Sequence, residues 1–565
     1  MTHYYGLTLG PIYDTLSKVR ATRELWGASY LFSDLMRRIL EAIAKTDGIK
    51  ILLPAMDEQD ARKKTGVGIY PDRMIAQGSN ADGEKIQQAI QAAISKLGTS
   101  IAKDLKESEA SVISFLQAYL QTYLVRMPVA DILGNPVDAI NELLDAAELR
   151  PTFQQKETDS FLADYLDNIN QSNLKQEAFA TSRRTSVPSL IEISTTELGT
   201  KVVPEACQTQ YEAEVQDWFN QQQHLLRQKR EAKKSGSETQ MKAYRNQRKQ
   251  RKELLERFQK NDTIQPHLKD YHKYIAVVYA DGDNIGATLG ELENSAEDYQ
   301  EFSQQLLDFG IAASESIQEF GGLPVYVGGD DLLFFAPLKN GTKTLFHLAQ
   351  ELDELFKAKV QATHDTKKPS LSFGVCLSYH KFPMYEALGK ASELLFKQAK
   401  RFPWKEVALD DPEKNHSPKN MLAFQLLKHS GQELGQAVRL TPALDADGKP
   451  MAHLYQIFLD MLDRQEQASE EGEKQRQLLS SVAYVIKKHE VLLDQVGGDS
   501  SRLSNFFAQQ FNESVHQQKE VKEYLELAQQ LVLAAYQNTN KYFKNAPPSD
   551  LTLQVDSAGE YARQT

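Results

Sequence analysis

Two short acidic motifs hold the residues of this chain best suited to chemistry. Asp281-Gly282-Asp283-Asn284 closes a run of β-branched and aromatic residues, Tyr274-Ile275-Ala276-Val277-Val278-Tyr279-Ala280. Gly328-Gly329-Asp330-Asp331 follows between two further apolar runs, with Asp330 49 residues beyond Asp281. Carboxylates brought together repel one another unless cations neutralise them, and a hard, all-oxygen set suits Mg²⁺ or Mn²⁺ bridged to substrate phosphates. Two such ions lower the pKa of an attacking hydroxyl and stabilise a pyrophosphate leaving group. Gly282, Gly328 and Gly329 allow a tight turn and close approach of backbone to a nucleotide. Gly-Gly-Asp-Asp alone is a common turn composition; paired with a strand-ending Asp-Gly-Asp it becomes a specific signal.

The elements around the motifs explain how they could meet. After the strand at 274–280 the pattern predicts helix to about Phe320, strands at Leu323–Val327 and Leu332–Ala336, a helix at 341–360, a strand at Leu371–Ser378 and a helix at 384–400. This βααββαβα order describes a ferredoxin-like sheet with helices on one face. The first strand and the hairpin are then neighbours, and their carboxylates converge at one end. Upstream, Tyr4–Leu9 is a short β-like run. After Gly10-Pro11 helices are predicted over Ile12–Ala44, 83–125, 137–148 and 160–178, and from about 405 to 546 the pattern is almost entirely helical.

Composition narrows the function classes. The chain has 565 residues and a net charge of −12, from 65 basic and 77 acidic side chains. Its two cysteines, Cys207 and Cys376, can build neither a disulfide framework nor an all-cysteine zinc site, which points to a reducing cytoplasm. The N-terminus lacks the pattern of a signal peptide. Apolar runs of about seven residues fall far short of the roughly 20 that cross a bilayer. One segment departs from the acidic average: residues 224–260 carry 13 Lys and Arg against four Glu. It reads either as a solvated helical linker or as an arm touching RNA phosphates, with Ser235-Gly236-Ser237 as a break.

The hairpin Val325-Tyr326-Val327-Gly328-Gly329-Asp330-Asp331-Leu332-Leu333 resembles the signature of the GGDEF and palm-polymerase superfamily, and Asp281-Gly282-Asp283-Asn284-Ile285-Gly286 and Ser372-Phe373-Gly374-Val375 match its other strands. Within that superfamily the chain is most similar to the Cmr-type large subunit of type III-B CRISPR effector complexes. Gly10-Pro11-Ile12-Tyr13-Asp14, the stretch Arg20–Leu31, Tyr70-Pro71-Asp72-Arg73 and Lys428-His429-Ser430-Gly431 look like that family's flanking text. The resemblance implies an α+β protein with two palm domains. A degenerate first palm with a helical extension would occupy 1–205, a basic helical connector 206–270, a second palm 271–405 and a helical domain 406–565.

It further implies an RNA-activated nucleotidyltransferase that polymerises ATP into cyclic oligoadenylates, or in some relatives joins ATP to S-adenosylmethionine. Asp281, Asp283, Asp330 and Asp331 would be catalytic and bind Mg²⁺ or Mn²⁺. Lys400, closing Ala399-Lys400-Arg401, stands where GGDEF-type enzymes place a phosphate-binding lysine, although a lysine at a helix end also suits the helix dipole. Asn284 would bond a ribose or cap the next helix, the cap being preferred. Gly282, Gly328 and Gly329 would line the nucleotide. Partners would be other Cmr subunits, CRISPR RNA and target RNA, with no membrane.

Two departures shape the expectation. The chain starts at the first palm rather than at a histidine-aspartate nuclease domain, and its one His-Asp pair, His364-Asp365, lies in a polar loop, so DNA cleavage is not expected. Nor is the zinc site that relatives often carry between the palms. Trp26 and Tyr30 are expected in the core. Arg20 and Arg23 suit either nucleotide phosphates or carboxylates. Asn261-Asp262-Thr263 and Asn512-Glu513-Ser514 match the glycosylation pattern, which has no use in a cytoplasmic protein. The competing classes are a free-standing enzyme like diguanylate cyclase and a catalytically silent RNA-binding scaffold.

Overall fold

Alternating and fully apolar runs of the sequence build two antiparallel-based sheets. The computed structural model describes residues 2–57, 62–132, 134–149, 161–182, 187–197, 270–292, 296–360, 369–400, 419–428, 433–442, 453–471, 479–511 apart from 480, 483, 487, 497 and 498, and 519–542. All of the expected 206–270 connector but Asp270, with the whole basic segment 224–260, lies outside these residues, as do Cys207, His364-Asp365, His429-Ser430-Gly431 and both glycosylation-type triplets.

The first sheet contains β1 (Thr2–Gly10), β2 (Lys50–Leu53), β3 (Arg73–Ser79) and β4 (Gln121–Pro128), in the order β2-β3-β1-β4. The second contains β5 (Tyr274–Asp283), β6 (Leu323–Gly328) and β7 (Asp331–Ala336), the short pair β8 (Lys339–Asn340) and β9 (Lys343–Thr344) lying outside it. It is completed by β10 (Ser370–Tyr379), β11 (Met421–Leu427) and β12 (Glu433–Arg439), in the order β12-β11-β10-β5-β7-β6. The expected βααββαβα order is present, with helices Ile285–Glu291, Ala296–Glu319, Leu345–Lys359 and Met384–Glu393, the last running into a π turn over Leu394–Ala399.

Several expected boundaries are corrected. The helix over Ile12–Ala44 is two, Ile12–Lys18 and Thr22–Ala44, because Val19 and Ala21 are extended and the Thr22 hydroxyl donates to Pro188 O at 2.6 Å. The stretch 83–125 divides into helices Asp82–Leu105 and Glu109–Tyr119 and the start of β4, and 160–178 is broken by a 3₁₀ turn at Ile169–Gln171. Beyond 405 the chain is not uniformly helical. Met421–Leu427 is an apolar run whose periodicity does not distinguish buried strand from helix, and it pairs parallel to β10, with β12 antiparallel beyond it. The second sheet therefore continues to Arg439.

One apolar core runs beneath both sheets. Trp26 is fully buried, stacked on Tyr30 at 5.2 Å between ring centres, and its indole N–H donates to Gly66 O at 2.7 Å. Arg23 lies 3.5 Å from Glu24, whose carboxylate also accepts from Arg20 N. Phe346 of the second palm meets Phe424 of β11 and Phe458 of helix Leu454–Glu471 edge-on at 5.1 and 5.0 Å. Each such pair adds about 0.5–1.5 kcal/mol beyond area burial, fastening the following helices to the sheet. Main-chain contacts join the halves: Val327 N donates to Gly68 O at 3.0 Å and Ala55 N to Ser303 Oγ at 2.7 Å. Among the described residues no helix is long and apolar enough to cross a membrane.

Candidate active site

Pairing in the second sheet puts both acidic motifs at one end. β5 faces β7 with Ala280 opposite Leu332, which sets Asp281 beside Asp331, and the β6–β7 hairpin closes at Gly328 opposite Asp331. Gly329 has φ +66°, the left-handed conformation that a two-residue turn requires. Gly282 serves a different purpose. A Cβ there would lie 2.7 Å from Asp330 Cβ and Oδ2 and from Ile285 Cγ1, so only glycine lets the hairpin close onto the end of β5.

Asn284 turns the chain from β5 into helix Ile285–Glu291 with φ +66°. It holds the N-cap position, but its side chain makes no capping hydrogen bond. Instead its carbonyl accepts from Thr288 N at 2.9 Å and Thr288 Oγ at 3.0 Å.

Asp283 is fully buried. Its Oδ2 accepts from Ser370 Oγ at 3.0 Å, Ser372 Oγ at 2.8 Å and Asn420 N at 2.8 Å. Its Oδ1 is buried without a hydrogen bond and faces Lys400 Nζ at 3.1 Å. The Lys400 ammonium also pairs with Asp281 and donates to Gly282 O at 2.6 Å. Burial works against that charge, but Asp283 and Asp281 outweigh it and hold the lysine above its ordinary value. Lys400 thus stands among the carboxylates, bound to Asp281, Asp283 and one carbonyl.

Asp330 and Asp331 are also shifted upward, which for a carboxyl favours the neutral form. Desolvation among its neighbours, followed by the Asp281 charge, pushes Asp330 up from the usual carboxylate range. The same desolvation, with Asp330 and Asp281 as neighbours, raises Asp331, although its side chain keeps open surface at the rim. The first half contributes as well. Asp72, at the start of β3, is itself raised by burial, and its negative charge bears on both Tyr326 and Asp331. The corresponding ends of the two sheets thus face one another.

This arrangement fits a hard divalent cation. The converging groups are all oxygen, and an internal ammonium already stands among Asp281, Asp283 and Gly282 O in the position of a cation. Among the described residues no three acidic, imidazole or thiolate groups are set to chelate an ion as they stand. A cation would therefore have to share or displace the lysine. All nine residues named from sequence lie on β5, the β6–β7 hairpin, the turn after β5 or the end of the last palm helix. Sequence reading gave no role to Ser370, Ser372, Asn420 or Asp72. The two serines, two apart in an apolar strand, were the readable signal, because positions i and i+2 share a sheet face.

Residues 274–408 match the family described as Cas10/Cmr2, second palm domain, and residues 4–103 match CRISPR-associated protein Cmr2, N-terminal. The CRISPR system Cmr subunit Cmr2 of Pyrococcus furiosus is 29% identical over 185 residues, which is 28% of this chain and only 19% of that protein. Two solved type III-B Cmr-beta structures share the fold. The apo state gives TM-score 0.50 at 11% identity, covering 87% of this chain and 75% of that one. The state bound to cognate target RNA gives 0.50 at 12%, covering 93% and 78%.

Proposed function

We propose that this chain, a Cmr2/Cas10-type large subunit by its N-terminal and second palm domains, is an RNA-activated nucleotidyltransferase that joins adenine nucleotides. The observation that carries the reading is the convergence of Asp281, Asp283, Asp330 and Asp331 with Lys400 at one end of the second sheet.

The reaction is attack of a ribose 3′-hydroxyl on the α-phosphorus of a second ATP. A phosphodiester oxygen–phosphorus bond forms, the bond to the β-phosphate bridge breaks, and pyrophosphate leaves with its electron pair. Repetition and ring closure give cyclic oligoadenylates. Asp281, Asp283, Asp330 and Asp331 are the residues that would hold Mg²⁺ or Mn²⁺, which when bound would acidify the attacking hydroxyl and neutralise the triphosphate. The crowding that raises Asp330 and Asp331 in the cation-free chain is what a bound cation would relieve, so their ionised forms are the ones that would hold it, and the hydroxyl proton leaves to solvent. Lys400, released from Asp281 and Asp283, reaches the phosphates. Gly328 and Gly329 let backbone approach the nucleotide, and the facing first sheet encloses it. Geometry does most of the work, since phosphoryl transfer needs in-line placement and charge stabilisation above all.

The type III-B structures that share the fold, one of them bound to cognate target RNA, support placing the chain in a multisubunit complex with CRISPR RNA and target RNA. The experiment is to incubate the reconstituted complex with labelled ATP and Mn²⁺, with and without target RNA and S-adenosylmethionine. Ladders of adenylate that need target RNA are expected. A product that needs S-adenosylmethionine would move the reading to its variant, and no product under any condition would leave a silent scaffold.

A further inference from the structure

We infer that Asn420, Ser370 and Ser372 are positioning residues for Asp283, so that the first residue before β11, outside the palm motifs, belongs to the cation site. The inference rests on the nucleotidyl-transfer reading above and extends it. Its basis is the asymmetry of one carboxylate. Three donors converge on Asp283 Oδ2, from Ser370, Ser372 and the Asn420 main chain, while Oδ1 receives none and faces the cation position held by Lys400. A carboxylate free to turn would exchange its two oxygens. With three donors on one of them it always presents the other.

The Asn420 N–H is aimed by a second layer. Its residue has φ +65°, a conformation that L residues rarely adopt and asparagine tolerates better than most. The side-chain amide is clamped on three sides. Its Nδ2 donates to Asp353 Oδ1 at 2.7 Å and Leu371 O at 3.0 Å, and its Oδ1 accepts from Lys357 Nζ at 3.1 Å. Asp353 is held in turn by Lys357 at 2.5 Å and by Leu371 N at 3.1 Å. Ser372 Oγ, while donating to Asp283, accepts from Met421 N at 3.2 Å, which fixes its hydrogen toward the carboxylate. Helix Leu345–Lys359, β10 and the entry to β11 are thus joined through one asparagine, whose N–H is its hydrogen bond to the site among the described residues. Outer partners of this kind set the orientation and basicity of cation-binding groups, and their loss typically weakens affinity by about 10–100-fold.

The test titrates Mn²⁺ by electron paramagnetic resonance into the full chain with ATP, beside product synthesis in the reconstituted complex and the thermal midpoint. Ser370→Ala with Ser372→Ala should weaken Mn²⁺ binding about tenfold and raise the Mn²⁺ needed for half-maximal synthesis by the same factor, leaving KM for ATP within about twofold. Asn420→Gly, which keeps the left-handed backbone but loses the clamp, should weaken Mn²⁺ binding about threefold, and Asn420→Ala more. Ser172→Ala, which removes a buried hydroxyl bonded to Ile169 O in the first half of the chain, is the control for stability alone. If the double variant does not fold, Ser370→Ala is read alone, with about threefold weakening expected. Unchanged Mn²⁺ affinity in folded variants overturns the inference while leaving synthesis standing. A wild-type chain that binds no Mn²⁺ with ATP overturns the nucleotidyl-transfer reading, and this inference with it.

Discussion

The two sheets have the same topology and different chemistry. Read from one edge, β4-β1-β3-β2 in the first half corresponds strand for strand to β10-β5-β7-β6 in the second. The registers align too: Thr8 lies opposite Arg73 as Ala280 lies opposite Leu332. Leu9, Gly10 and Pro11 then occupy the places of Asp281, Gly282 and Asp283, and Asp72 the place of Asp331. The hairpin that closes in two residues between Gly328 and Asp331 is replaced by the long connection from Leu53 to Arg73. Of the four acidic positions of the second sheet, the first thus keeps one carboxylate at an aligned position. The comparison teaches that the fold delivers side chains to a place, and the residues delivered decide whether a cation and two phosphates can be held there.

The most severe test of that asymmetry removes one carboxylate from each side. Asp281→Asn or Asp283→Asn should lower synthesis at least about a hundredfold, as loss of a central electrostatic group does, while Asp72→Asn should cost no more than about tenfold. Rates from the reconstituted complex decide, and a larger effect at Asp72 would break the comparison.

A matched pair of glycines gives the next effect. Gly282→Ala drives a Cβ to 2.7 Å from Asp330 and should cost about a hundredfold through misplacement of the hairpin. Gly10→Ala meets nothing nearer than 3.5 Å and should leave rate and thermal midpoint almost unchanged. Equal losses at both positions would show that the closeness of the two motifs is not what matters.

The smallest effect is electrostatic. Asp330 is pushed up to about 7 in the folded chain by burial and Asp281, against about 3.9 when unfolded. Between these values the folded state holds a proton that the unfolded state lacks, so this group's contribution to stability falls as pH rises from about 4 to about 7. The thermal midpoint of the cation-free chain should therefore drop by a few degrees more over that range than that of Asp330→Asn. Added Mn²⁺ should raise it more at pH 7.5 than at pH 5. Parallel curves for the two chains would contradict the crowding of charge at the acidic end of the second sheet.

The second sheet was legible because Tyr274–Ala280 is a long run of β-branched and aromatic residues and the hairpin carries its glycines at the turn. The first was not. β2 has only four residues, β3 mixes Gln77 and Gly78 with its apolar positions, and β4 follows a helix with no glycine or proline between. β11 was lost to helix because seven mostly apolar residues carry no period. In the site, the carboxylates and Lys400 stand in short recognisable strings. Ser370, Ser372 and Asn420 act through register and a left-handed backbone, and Asp72 through the packing of one half on the other; only the serine spacing leaves a trace in the sequence.

The central claim is that the second sheet's acidic end joins nucleotides, and pyrophosphate release from ATP labelled in its β- and γ-phosphates tests it most directly. Wild type and Asp330→Ala with Asp331→Ala are compared in the same reconstituted complex with target RNA and Mn²⁺. Pyrophosphate should accumulate with wild type and fall to background with the double variant, while both bind target RNA equally. Release that persists in the variant, or never begins in the wild type, would contradict it.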